Sequence, residues 1–95
     1  MVLEIAVLEV TPGAQDAFVA AYGQVRSEVA DAPGCRSVRM TRGIESPTRF
    51  VLLAEWDCVA DHEAFRASDR FVRWRAGIGP HFAAAPQVEH YRDLD

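Results

Sequence analysis

Ninety-five residues make one domain and leave no room for two. The chain is 49% hydrophobic and 25% charged, an ordinary globular balance with no repeat and no low-complexity tract. Its net charge of −4 and scattered arginines argue against a nucleic-acid backbone or an anionic membrane as partner.

No apolar run approaches the ~20 residues of a membrane helix. The opening MVLEIAVLEV carries acids where a signal peptide would be basic, so a cytoplasmic location is expected. Cys35 and Cys58 lie 23 residues apart with no CxxC, which reads as two free thiols in a reducing compartment.

Residues 2–10 form the first strand, apolar on both faces apart from Glu4 and Glu9. Thr11-Pro12-Gly13 opens a helix over 13–31, with Ala14, Phe18, Ala21, Tyr22, Val25 and Val29 at three- and four-residue steps. Ala32-Pro33-Gly34 ends it. Residues 35–44 read as a second strand, polar enough for a sheet edge. Glu45-Ser46-Pro47-Thr48 is a hairpin turn. The third strand, 49–57, is the most hydrophobic and should be central.

Asp57 is a candidate cap for a short helix over about 59–67, and Ser68 for a helix over 69–78. Gly79-Pro80 stops the latter. His81 to Pro86 is a loop, and Val88 to Arg92 a final strand.

The order β-α-β-β-α-α-β predicts an α+β domain of the ferredoxin-like βαββαβ type. It has a four-stranded antiparallel sheet with helices on one face. Strands one and three are apolar on both faces. A chain of this size hides only about 60–65% of its unfolded surface. The bare face therefore calls for a cover, and the same sheet of a second subunit is the simplest one. A homodimer through the sheet face is expected.

Four stretches carry a family resemblance: Arg49 to Trp56, His62-Glu63-Ala64-Phe65-Arg66-Ala67-Ser68, Phe71-Val72-Arg73-Trp74-Arg75, and Pro86 to Tyr91. With the Thr11-Pro12-Gly13 and Ala32-Pro33-Gly34 turns, the pattern resembles the antibiotic biosynthesis monooxygenase family over nearly the whole chain. The resemblance implies a dimeric α+β barrel with its pocket between the sheet and the helices of one subunit. It also implies oxygen chemistry on aromatic polyketides without metal, flavin or other cofactor. The family's oxygenases have a tryptophan at the end of strand three, matched by Trp56. Their asparagine four residues earlier is replaced here by Leu52, and a tyrosine six residues after the tryptophan by His62. An arginine of the following helix corresponds to Arg75. The haem-degrading branch uses a histidine and an asparagine where Arg75 and Ala6 stand, which speaks against haem ligation.

Alternation puts Phe50, Leu52, Ala54 and Trp56 on one face of strand three. If that face meets the helices, Phe65, Phe71 and Trp74 join it around an apolar pocket suited to a small aromatic ligand. Such aromatics also commonly do no more than fill a core. His62 is the best acid–base candidate by intrinsic pKa, with Trp56 its catalytic companion. Against this stands the reading of an exposed helical histidine. Leu52, Phe65, Phe71, Trp74 and Arg75 are the candidate substrate contacts. His81 and Phe82 join them from the loop placed to close the pocket. His90, beside Glu89 on the last strand, reads as a structural or interface residue.

Glu4, Glu55 and Glu89 fit charge pairs with Arg39, Arg42, Arg49 or Arg92, above all an Arg49–glutamate pair at a rim. The three histidines lack metal-ligand spacing. There is no nucleotide loop and no serine–histidine–acid signature. The resemblance implies a cofactor-independent monooxygenase; the alternatives are a non-catalytic small-molecule-binding dimer and an isomerase or cyclase on the same scaffold.

Overall fold

A computed structural model describes residues 1–95. The elements are β1 (Val2–Glu9), α1 (Gln15–Ala30), β2 (Cys35–Arg42), β3 (Arg49–Trp56), α2 (Val59–Arg66), α3 (Asp69–Ile78) and β4 (Gln87–Tyr91). A 3-10 turn over Gly79–His81 follows α3. The strands form one sheet in the order β2-β3-β1-β4, and every adjacent pair is antiparallel. This is the ferredoxin-like arrangement. The apolar strands β1 and β3 are central and the polar β2 lies at an edge, as their compositions predict.

Alternation along the central strands decides which side chains meet the helices. On β3, Phe50, Leu52, Ala54 and Trp56 are buried and the residues between them half-buried. On β1 the inward set is Glu4, Ala6 and Leu8. The pairing sets Ala6 against Leu52 and Glu4 against Ala54, which aligns the two inward rows. Phe18 and Val29 from α1, Phe65 from α2, and Trp74 and Ile78 from α3 close over them. Phe18 and Phe50 pack with ring centroids 4.7 Å apart at one end. The opposite face carries Leu3, Ile5, Val7, Val51 and Leu53, all half-buried.

Gly34 takes a φ of +84°, the left-handed conformation that lets the chain leave α1 and enter β2. Its carbonyl accepts from the Asp57 amide at 2.8 Å. The loop after α3 is fastened to the end of β1. Thr11 N–H donates to the His81 carbonyl at 2.8 Å, Ala83 N–H to the Glu9 carbonyl at 2.8 Å, and Val10 bridges Phe82.

The helix starts differ in detail from the expected caps. Cys58, not Asp57, holds the N-cap position of α2 and makes no side-chain cap. Asp57 is drawn away by the guanidinium of Arg36. Ser68 does stand at the N-cap of α3, but its hydroxyl donates to the Phe65 carbonyl at 2.6 Å instead of accepting an α3 amide. The charge pairs also divide. Arg49 meets Glu9 at 2.6 Å on the rim, as expected. Glu55 accepts from the Ser37 hydroxyl at 2.7 Å, and Glu4 meets no arginine within ion-pair distance: it is buried under the helices, among aromatic rings. Cys35 and Cys58 are both free thiols.

Candidate functional site

A cavity of about 220 Å³ opens between the sheet and helices α2 and α3. β1 and β3 supply its floor through Ala6, Leu8 and Leu52. The helices supply Phe65, Phe71, Trp74 and Ile78, and the last loop adds Phe82, Ala85 and Pro86. Each strand residue is there because it falls in the inward parity of its strand. The helical ones recur at three- and four-residue steps, which keep them on one helix face. A wider cleft of about 750 Å³ lies outside, sharing Phe71, Arg75, Phe82, Ala85 and Pro86. The inner space is smaller than the ~300–1,000 Å³ of typical ligand pockets and takes a small flat molecule. The outer cleft gives a larger one room to protrude.

The far end of the cavity is polar. Glu4 and His62 line it, only 5% and 3% exposed. Trp56 Nε1 donates to Glu4 Oε1 at 2.9 Å. His62 Nε2 lies 3.3 Å from the same oxygen. On its other side His62 Nδ1 and His90 Nε2 share a hydrogen bond of 2.7 Å. The His62 ring stacks on Trp56 with centroids 5.1 Å apart, and Phe65 packs on Trp56 at 5.6 Å. Burial disfavours both charged forms. It lowers the His62 pKa to about 4, helped by His90 and then Arg66. It raises that of Glu4 above the ordinary value, against the opposing pull of the Trp56 hydrogen bond and Arg66. Arg66 and Arg75 stand at the cavity wall, exposed and without an ion-pair partner.

Leu52, His62, Phe65, Phe71, Trp74, Arg75 and Phe82 therefore converge on one cavity. Trp56 stands behind it, fully buried, and meets it through Glu4, His62 and Phe65. His81 stays outside, its carbonyl tied to Thr11. His62 is not an exposed helical residue. His90 is half-buried and faces the helices, opposite Glu4 in the β1–β4 pairing, where its hydrogen bond to His62 gives it a structural role. Sequence reasoning passed over Glu4 and His90 as site residues. The available signal was parity: Glu4 shares its face with Ala6 and Leu8. No group of three or more His, Cys, Asp or Glu is arranged to hold a metal ion.

The four-stranded sheet under three helices is an α+β ferredoxin-like scaffold with an aromatic cavity between its layers. The chain belongs to the antibiotic biosynthesis monooxygenase family, whose model matches residues 1–77. It is 30% identical to the uncharacterized protein YczJ of Bacillus subtilis over 95 residues, covering 99% of this chain and all of YczJ. It is 35% identical to a 42.8 kDa protein in the whiE locus of Streptomyces coelicolor over 68 residues, 72% of this chain but only 17% of that protein. Among solved structures, a Bordetella bronchiseptica protein named after the antibiotic biosynthesis monooxygenases superposes with a TM-score of 0.94 at 38% identity, covering 98% of this chain and 96% of its own. A Nitrosomonas europaea protein of the same designation matches over the whole of both chains with a TM-score of 0.85 at 22% identity, a likeness of fold.

Proposed function

We propose that the protein is a cofactor-independent monooxygenase acting with O2 on a small aromatic or polycyclic, polyketide-like substrate. The observation that carries this reading is the aromatic cavity closed at one end by the Glu4–His62–His90 cluster. Phe65, Phe71 and Trp74 would grip the ring system, Leu52 and Phe82 would fill its edges, and Arg75 would meet an anionic substituent at the mouth. An activated C–H or phenolic O–H of the substrate loses its proton at the polar end. The carbanion passes an electron to O2, and the two radicals recombine at carbon. The substrate is its own reductant. The protein contributes orientation, exclusion of water and stabilisation of the anion. The half-buried apolar face formed by Leu3, Ile5, Val7, Val51 and Leu53 supports a homodimer through the sheet, in keeping with the dimeric barrel that the family resemblance implies.

Oxygen uptake with anthrone as substrate tests the activity. One O2 consumed per anthrone converted to quinone, abolished when Phe65 and Trp74 are replaced by alanine, is the expected result. A binding-only role is the second reading, favoured by Leu52, whose apolar side chain offers no polar contact to oxygen or substrate. Tryptophan quenching by anthrone without oxygen uptake would select it. Anthrone altered without O2 would select an isomerase or cyclase.

A further inference from the structure

Glu4 Oε1 is committed to Trp56 Nε1 at 2.9 Å and lies 3.3 Å from His62 Nε2. Oε2 has no hydrogen-bond partner. The structure's one enclosed, unpartnered side-chain polar atom is Tyr22 Oη, so Oε2 is not sealed in protein. Glu4 lines the cavity, and Oε2 is its oxygen left free to accept. His62 is held in place: its Nδ1 is engaged by His90 at 2.7 Å and its ring is stacked on Trp56. Burial makes the imidazole a weaker proton acceptor and the carboxylate a stronger one.

We infer that Glu4 is the catalytic proton acceptor of the oxygenase reading, taking the substrate's proton on Oε2, and that His62, fixed by His90, is the positioning residue that holds the carboxyl toward the cavity. The assignment rests on that reading for its reaction, though the placement of the proton can be tested without turnover.

The steps balance with O2 as the only co-substrate. The substrate's C–H bond breaks, its proton goes to Oε2 and the electron pair stays on carbon. One electron passes to O2, and the carbon radical and superoxide join in a C–O bond. The peroxide anion then takes back the proton from Oε2. Loss of water from the hydroperoxide leaves a ketone and returns Glu4 to its starting form. Protonation on Oε2 leaves the Trp56 bond to Oε1 in place, so the site need not rearrange between the two proton transfers. The groups facing Glu4 are Trp56 from β3, His62 and Arg66 from α2, His90 from β4 and Cys35 from β2. Arg75 of α3 shares the cavity. The Trp56 hydrogen bond and then Arg66 stabilise the ionised carboxylate and so limit the rise that burial produces.

The test compares wild type, Glu4→Gln and His62→Gln in oxygen uptake with anthrone. It also follows the Glu4 carboxyl carbon by 13C NMR titration with and without 4-nitrophenol, a phenol whose ionisation is visible. Glu4→Gln keeps an acceptor for Trp56 but cannot hold the proton. It should lose at least about 100-fold in kcat, with KM little changed and the acidic limb of kcat/KM abolished. His62→Gln should lose about tenfold and shift that limb without removing it. A Glu4→Gln enzyme within threefold of wild type overturns the assignment. If wild type does not consume oxygen, the oxygenase reading fails, and the NMR arm decides the proton alone. The Glu4 midpoint should lie above 4.5 in the free protein and move when nitrophenol is added. A midpoint unmoved by saturating nitrophenol overturns the inference, also where Glu4→Gln does not fold.

Discussion

Acidification should expose an opposition between two neighbouring buried groups. The unfolded chain's His62 titrates near 6.5, while in the folded protein the value is about 4. Between those limits the unfolded state binds a proton that the folded state refuses, so stability falls as pH falls. At 1.36 kcal/mol per pH unit, the loss approaches about 3 kcal/mol by pH 4. Glu4 runs the other way. Its folded pKa is raised, so its contribution is fully present below 4.5 and is lost as pH rises through the folded value. On acidification it offsets part of the histidine loss. Urea unfolding at a fixed protein concentration, stepped from pH 7 to 4.5, separates the two. Wild type should show a shallow decline. Glu4→Gln should decline more steeply toward acid, and His62→Gln should flatten or reverse the slope. Parallel pH profiles for wild type and His62→Gln would refute the reasoning, because they would mean that the imidazole's burial has no charge cost.

Three further outcomes follow from packing and pairing. Tyr22 keeps its hydroxyl enclosed and unpartnered while its ring meets Trp74 edge-on at 5.9 Å. Tyr22→Phe should therefore raise the unfolding free energy by about 1 kcal/mol in thermal or urea melts. Gly77 lets α3 approach α1, and a Cβ there would stand 2.7 Å from Val25 Cγ1. Gly77→Ala should lose about 1 kcal/mol net despite a helix-propensity gain of similar size. Adding Val25→Ala should give a favourable coupling in a double-mutant cycle. Arg49→Ala breaks a rim pair whose side chains are 53% and 36% exposed, so its cost in the same melts should stay below about 1 kcal/mol and shrink further in high salt.

The fold was largely legible because its signals repeat. Strand three alternates over eight residues, α1 keeps its apolar stripe over 16, and Gly34 stands where a left-handed turn is required. The contrast between an apolar strand three and a polar strand two placed the first in the centre of the sheet and the second at an edge. The cap residues were less legible because the choice between two adjacent polar groups depends on distant partners. Asp57 does not cap α2 because Arg36, 21 residues away, holds it. Ser68 turns back to Phe65 because that carbonyl lies within reach of its hydroxyl.

The polar end of the site was harder to see, for a related reason. Composition marks a glutamate on a strand as a charge seeking an arginine. Parity marks the same glutamate as inward, since it alternates with Ala6 and Leu8. Each signal is local, and they conflict. What resolves the conflict is non-local: Trp56, 52 residues along the chain, supplies an N–H, and α2 brings His62 over the same oxygen. A carboxyl can stay under the helices only because an indole, an imidazole and a second histidine arrive there from three other elements. Burial of a polar residue on the core-facing row of a strand thus signals convergence that no single segment can encode. In this chain the convergence is what gives an aromatic cavity a polar end instead of a uniformly apolar wall.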